Sequence, residues 1–240
     1  MKFSPEELKR LSVDFEQQRP PAVLRWAIEQ FWPRVAISTG FGPEGLVIID
    51  YAMQLDKKIP IFTLNTGFLF KETQELKQQL EQRYGIQIES LHPDPVEVEQ
   101  LTAKHGDEPY KVVPDLCCHA RKVLPMRKKQ QTLDALITGV RRSQGTEARA
   151  QAQMLQAQRD AATSHELVKI NPLVGWTKEE VWWYIVSHEL PYNPLHDKNY
   201  PSIGCWPCTQ PVLEGEDERA GRWRGLQKKE CGLHTFMSDI

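Results

Sequence analysis

Five cysteines carry most of the chemistry in this sequence: Cys117, Cys118, Cys205, Cys208 and Cys231. In Cys205-Trp206-Pro207-Cys208 two thiols stand two residues apart within a stretch rich in Pro, Asn and Gly, a spacing at which both reach one metal centre. Cys117 and Cys118 follow Pro114-Asp115, which reads as a helix start capped by Asp115. Both thiols then fall in a first turn, where unpaired N–H groups favour thiolates. Four thiolates suit zinc or a 4Fe–4S cluster. An adjacent pair is unusual for tetrahedral zinc, and a redox disulfide at Cys205–Cys208 leaves the other pair unexplained. Four buried thiols without a ligand are the plainer alternative. Cys231 stands alone in Lys228-Lys229-Glu230-Cys231-Gly232-Leu233-His234. A free thiol is mostly protonated at neutral pH, and nearby lysines with His234 would raise its thiolate share, as a nucleophile needs.

Cations accompany the thiols. On a helix, Arg121 lies one turn after Cys117 and Lys122 one turn after Cys118. A cation beside an anionic cluster can also face an anionic substrate; an ordinary solvated basic helix is the alternative, since Arg127, Lys128 and Lys129 follow. The turn Gly40-Phe41-Gly42-Pro43-Glu44-Gly45 offers backbone N–H groups and a helix N-terminus to an anion, but no Gly-Lys-Ser/Thr follows, so it is not a Walker A loop. Leu64-Asn65-Thr66-Gly67 ends a strand where a ribose or base edge is within reach, and Arg141 and Arg142 end another.

The elements that must position these residues alternate. Ser4, Pro5 and Glu7 read as cap, first helical residue and capping-box partner, with Phe3 and Leu8 as a staple. A second helix covers 22–31. Strands are expected over 34–39, 60–65, 85–91, 135–140 and 168–171, with helices over 46–55, 71–83 and 115–130 between them. Thr177 and Glu180 repeat the capping-box pattern for a helix running to about His188, and 190–208 reads as loop. Residues 143–163 hold Gln and Ala with little apolar content and read as a mobile surface segment. This is an α/β pattern: a parallel sheet flanked by helices, with ligands expected at the carboxyl ends of its strands.

Length and composition agree with one domain over 1–240, whose last part, 209–240, is a flexible tail carrying Cys231. A net charge of −2 argues against a general nucleic-acid binder. The N-terminus resembles neither a secretory signal nor a transit peptide, and no apolar run is long enough to span a membrane. A reducing cytoplasm is therefore expected, where cysteines serve as ligands or catalysts.

Taken together, Cys117-Cys118 with Arg121-Lys122, then Cys205-Trp206-Pro207-Cys208, then Glu230-Cys231-Gly232-Leu233-His234 resemble the assimilatory adenylyl-sulfate reductases of the phosphoadenylyl-sulfate reductase family. The resemblance covers nearly the whole chain. It implies an adenine-nucleotide α-hydrolase-like (Rossmann-like) sheet and a 4Fe–4S cluster on the four paired cysteines. It further implies that Cys231 attacks the sulfur of adenosine 5′-phosphosulfate, that AMP leaves, and that thioredoxin or a glutaredoxin-like thiol donor releases sulfite from an S-sulfocysteine. Lys122, Arg219, Arg222 and His234 fall where the family binds the phosphosulfate group, and Arg149 stands at the spacing of another substrate arginine. Leu64 and the turn from Ser38 through Gly42 to Gly45 would surround the nucleoside. Two segments depart from the family pattern: Pro43-Glu44-Gly45 replaces an Ala-Glu-Asp segment, and Ser-Gln-Gly-Thr-Glu-Ala-Arg follows Arg142. No fused thioredoxin-like domain is expected, so the donor is expected to be a separate protein; a homo-oligomer is compatible with the sequence.

Three other readings compete. A phosphoadenylyl-sulfate reductase, or an enzyme accepting both sulfonucleotides, is the nearest. An RNA sulfur-transfer protein would carry a Ser-Gly-Gly-Lys-Asp loop, which Ser38-Thr39-Gly40-Phe41-Gly42 is not. The third is a zinc- or cluster-bearing nucleotide sensor without catalysis.

Overall fold

The structure, a computed structural model, describes residues 2–56, 58–144, 147–226, 228, 232–234 and 237–239. Two helices precede the sheet. Helix α1 (Pro5–Glu16) starts at Ser4, whose Oγ accepts from the Glu7 N–H (3.2 Å) while Glu7 Oε2 accepts from the Ser4 N–H (2.8 Å). This reciprocal pair satisfies two donors that the first turn would leave bare. Helix α2 (Pro20–Phe31) carries Val23, Leu24 and Ala27 at helical spacing, all fully buried.

The alternating part then runs β1 (Val35–Ser38), α3 (Pro43–Leu55), β2 (Ile61–Leu64), α4 (Lys71–Tyr84), β3 (Glu89–Leu91), α5 (Pro95–His105) and α6 (Pro109–Val112). It continues with α7 (Pro114–Cys118), a π-helical turn (His119–Val123), α8 (Leu124–Gln130) and β4 (Ala135–Ile137). Then come α9 (Glu147–Ala150), β5 (Leu155–Asp160), β6 (Glu166–Ile170), α10 (Lys178–Ser187) and β7 (Met237–Asp239).

Among the described residues seven strands form one sheet, in the order β3-β2-β1-β4-β6-β5-β7. Strands β3, β2, β1, β4 and β6 are parallel; β5 runs antiparallel to both β6 and β7. Strand period places Val35 and Ile37 on one face and Ala36 on the other. The first face, joined by Ile137, Val168 and Ile170, meets α1, α2, α3 and α10 in the main core. The opposite face builds a smaller core from Ala36, Phe62, Leu136 and Leu167 with Met126 of α8. The expected α/β architecture, a parallel sheet with helices on both faces, is what the chain adopts.

Several local expectations are corrected. The stretch 143–163 contains β5, of which Leu155, Gln156, Ala157, Gln158 and Asp160 are buried. Its glutamines hid it: Gln156 Oε1 accepts from Asn171 Nδ2 (3.2 Å), so a polar side chain is satisfied indoors and leaves no apolar signal. Asp115 does not cap α7; the cap position is Val113, with no side-chain hydrogen bond. The helix expected over 115–130 is interrupted by the π-helical turn, and α5, begun by Asp94 accepting from the Val96 N–H (2.9 Å), was not anticipated. The 190–208 loop contains two short 3-10 turns, Pro194–Lys198 and Trp206–Cys208. Within the segment 209–240, Met237–Asp239 of β7 pair with Asp160–Gln158 of β5 at the sheet edge. Among the described residues, no helix is long and apolar enough to cross a membrane.

Candidate active site

The strand order reverses between β1 and β4, the topological switch point at which open α/β sheets bind ligands. A cavity of about 330 Å³ opens there. Ser38 and Thr39 at the end of β1, Thr63, Leu64 and Thr66 at the end of β2, and Leu136, Thr138 and Gly139 at the end of β4 line it. The turn after β1 is tight. Phe41 adopts a left-handed backbone (φ 58°), held by its own burial and by donation from its N–H to Thr39 Oγ1 (2.9 Å). Gly42 then caps α3, and the first turn of that helix faces the cavity through Pro43, Glu44 and Gly45.

A second wall comes from the C-terminal part of the chain. Residues 208–210 and 220–223 run against each other: the Gln210 N–H donates to Gly221 O (2.9 Å), the Trp223 N–H to Cys208 O (2.9 Å), and Thr209 bridges to Arg222. This ladder holds Arg222 over Gly204, where a Cβ would lie 2.2 Å from an Arg222 terminal nitrogen, so only glycine admits the guanidinium. Arg219 and Arg222 both donate to Ser202 Oγ (3.4 and 3.3 Å). The buried Nε of Arg222, the Oε1 of Gln130 and the Nε2 of His196 have no hydrogen-bond partner among the described residues, and all three residues line the cavity. Burial also pushes the His196 imidazole below its ordinary pKa. Unpaired buried polar atoms on residues that line one cavity are what a bound nucleotide would satisfy.

Seven anticipated residues meet in this cavity: Ser38, Gly42, Leu64, Lys122, Arg149, Arg219 and Arg222. The eighth, His234, lies in a 3-10 turn, Gly232–His234, that packs on the π-helical turn bearing Lys122. Leu233 of that turn reaches the cavity wall. Cys231 lies outside the described residues. Lys228 is described: it pairs with Asp115 at the start of α7 and sits 5.5 Å over the Trp223 ring. Sequence reasoning missed Gln144, whose Oε1 accepts from Arg149, as well as Lys169, Lys178 and His196. None of these stands in a recognisable motif; each arrives from a separate element. The two arginines after β4 part company. Arg141 lines the cavity and pairs with Glu44, whereas Arg142 turns outward to Ala152 O (2.8 Å) and Glu16 of α1.

The paired cysteines meet behind this cavity. The loop 205–208 clamps onto the end of β2: Cys205 bridges to Leu69, the Trp206 N–H donates to Phe68 O (2.8 Å), and Cys205 Sγ lies 3.3 Å from Thr66 Oγ1. Arg121 fixes the same turn from the other side, donating to Thr66 O (2.8 Å) with its guanidinium 4.3 Å from the Phe68 ring centre. Cys117 and Cys208 share a small apolar cluster with Tyr110 and Phe68. Burial pushes the Cys117 and Cys208 thiols up to about 11, and neighbouring sulfurs push the same way. The sulfurs of Cys118 and Cys205 act on both, Arg121 and Lys122 pull Cys117 back, and Lys122 opposes the shift of Cys208. The thiols of Cys117, Cys118 and Cys205 are buried and that of Cys208 half-buried, close enough that the others act on Cys117 and Cys208, with cations at the border. An all-sulfur donor set of this kind fits a thiolate-bound metal group, although among the described residues none is arranged to hold a single ion. Cys205 and Lys122 belong to both places: each also lines the cavity.

Residues 34–211 match the family model described as the phosphoadenosine phosphosulfate reductase domain. A protein of Salinibacter ruber named adenosine 5′-phosphosulfate reductase is 40% identical over 99% of this chain and 92% of its own length. A Gloeobacter violaceus protein named phosphoadenosine 5′-phosphosulfate reductase is 40% identical over 95% of this chain and 93% of its own. The crystal structure of a phosphoadenylyl-sulfate reductase from Candida auris, in a phosphate complex, superposes with a TM-score of 0.73 at 30% identity. That superposition covers 86% of this chain and 98% of the other.

Proposed function

Because the chain belongs to the phosphoadenosine phosphosulfate reductase domain family, we propose that it reduces adenosine 5′-phosphosulfate to sulfite and AMP, an oxidoreductase step of assimilatory sulfate reduction. The observation that carries this reading is the cavity at the strand ends, where Lys122, Arg149, Arg219 and Arg222 gather around a nucleotide-sized space. The reacting sulfur is ringed by anionic oxygens that repel a thiolate, so cations must offset that charge as attack begins. Arginines suit the task because their planar N–H groups meet such oxygens two at a time.

In the proposed reaction the Cys231 thiolate attacks the sulfuryl sulfur, and the sulfur–oxygen bond to the phosphate breaks with its electron pair leaving on AMP. A donor thiolate then attacks Cys231 Sγ, sulfite departs with the sulfur–sulfur electron pair, and a mixed disulfide remains. The donor's second thiol resolves it, so two electrons come from one dithiol, thioredoxin or a glutaredoxin-like protein. Cys231 must serve both partners, which suits its place in the 209–240 tail of a single 1–240 reductase domain. Support for its nearness is indirect: Leu233, two residues on, lines the cavity. Ser38, Gly42 and Leu64 contact the nucleoside in this reading, and His234 the phosphosulfate.

Cys117, Cys118, Cys205 and Cys208 would hold a 4Fe–4S cluster, since adjacent cysteines suit a cluster better than tetrahedral zinc. Bound there, the cluster supplies a fixed anionic group that ties the 205–208 loop to α7. Lys122, whose charge acts on Cys117 and Cys208 and which lines the cavity, would then interact with both that group and the phosphosulfate. A reducing cytoplasm is the setting that keeps all five thiols available.

The deciding measurement is sulfite release from adenosine 5′-phosphosulfate and from its 3′-phosphorylated form in parallel, with thioredoxin supplied. A higher kcat/KM for the first is expected. A preference for the second would move the chain to the reading carried by the Gloeobacter and Candida names, and release from neither would end the reductase assignment.

A further inference from the structure

Arg141 and Arg142 stand at the exit of β4, the end of the sheet at which open α/β folds bind their ligands. The structure disposes of both charges. Arg142 does not line the cavity; it donates to Ala152 O and pairs with Glu16 of α1. Arg141 does line it, but its side chain is only 3% exposed and its Nε donates to Glu44 Oε1 at 2.6 Å. Its Nη1 donates to Ser143 Oγ. The Glu44 side chain is 11% exposed and faces the same cavity.

The helix start that carries Glu44 approaches the end of β4 closely. A Cβ at Gly139, the cavity residue beyond β4, would lie 3.0 Å from Glu44 Cβ and 3.2 Å from the Gly45 nitrogen. The first turn of α3 is therefore packed against the strand end, and its Glu44 carboxylate pairs with the Arg141 guanidinium. A buried ion pair of this geometry is already satisfied, and a second anion arriving there meets the carboxylate as well as the cation.

We propose that Glu44 is a specificity-determining residue. By occupying Arg141 at the cavity wall it excludes a sulfonucleotide carrying an extra phosphate on its ribose and leaves the singly substituted 5′-phosphosulfate as the substrate. This rests on the sulfonucleotide reading above and goes beyond it by naming the group that makes the choice. It is a selection by charge: a carboxylate removes the reward for a second phosphate without touching the binding of the first.

The test compares kcat/KM for the two sulfonucleotides in the wild-type enzyme, Glu44→Gln and Arg141→Met. Glu44→Gln keeps an oxygen for Arg141 Nε but removes the negative charge. The ratio of the two kcat/KM values should move toward the 3′-phosphorylated substrate by about tenfold or more, the scale of one charge-assisted contact. In Arg141→Met the remaining carboxylate is left to repel, and the ratio should move the other way. An unchanged ratio in either variant overturns the proposal while leaving the reductase reading in place. Should both variants fail to fold, inhibition of the wild-type enzyme decides. AMP should inhibit at least about tenfold more tightly than adenosine 3′,5′-bisphosphate, and equal inhibition rejects the role of Glu44. Loss of sulfite release from both substrates in the wild-type enzyme would instead reject the reading on which the proposal rests.

Discussion

At the scale of single residues, charge and nucleophilicity divide between the two halves of the site. Cys231 is the thiol left after the paired cysteines are assigned, and Cys231→Ser should still bind nucleotide and retain iron. Mixed with radiolabelled substrate in the absence of thioredoxin, it should form no sulfonated protein, because a neutral hydroxyl is a poor nucleophile. Label on any other cysteine of the wild-type enzyme would refute the mechanism. Among the described residues the buried Arg222 Nε has no partner, so its guanidinium has donor capacity to spare for a ligand. Arg222→Ala should lower kcat by roughly 10²–10³-fold, the range seen when one transition-state donor is lost. A change below about threefold would show that Arg222 merely packs on Trp223, whose ring centre lies 4.6 Å from it.

At the scale of elements, the 205–208 loop and the 220–223 strand segment act together. The Arg222 guanidinium fills the space where a side chain at Gly204 would lie. Gly204→Ala should therefore displace Arg222 and depress activity about as far as Arg222→Ala does, and combining the two changes should add little further loss. Additive losses in that double variant would separate the two residues. Strand β5 makes a different claim. Leu155 is fully buried between β6 and the first helices, and Leu155→Ala should cost about 2–5 kcal/mol in chemical unfolding. A cost below about 0.5 kcal/mol, the usual range for surface changes, would return 155–160 to the surface.

At the scale of the whole molecule, the cysteine pairs join parts of the chain that share no secondary structure: Cys117 and Cys118 lie in α7, Cys205 and Cys208 in a loop that follows α10. A group bound by all four is a crosslink, and it should stabilise the fold in proportion to its affinity. Anaerobically purified protein should be brown and contain about four irons per chain. Removing the iron should lower the Tm, and Cys205→Ser should lose iron and activity together. Colourless protein with one tightly bound zinc would replace the cluster with an ion.

The sequence by itself determined which chemistry is present. Cysteine spacing, the glycine turn after β1 and both capping boxes are local signals, each complete within a few residues, and the structure has Ser4–Glu7 and Thr177–Glu180 paired as their spacing requires. Seven residues that the family resemblance offers as substrate contacts line one cavity. What only the tertiary structure decided depends on partners distant along the chain. Strand β5 was invisible because its glutamines are satisfied by β6 and its neighbours rather than by anything adjacent. Arg141 and Arg142 are chemically identical neighbours, yet one enters the cavity and the other reaches α1. That division follows from backbone direction at the end of β4 and from two glutamates about a hundred residues upstream, Glu44 and Glu16. Residue type states what a side chain can do; the packing of remote elements decides toward which partner it does it.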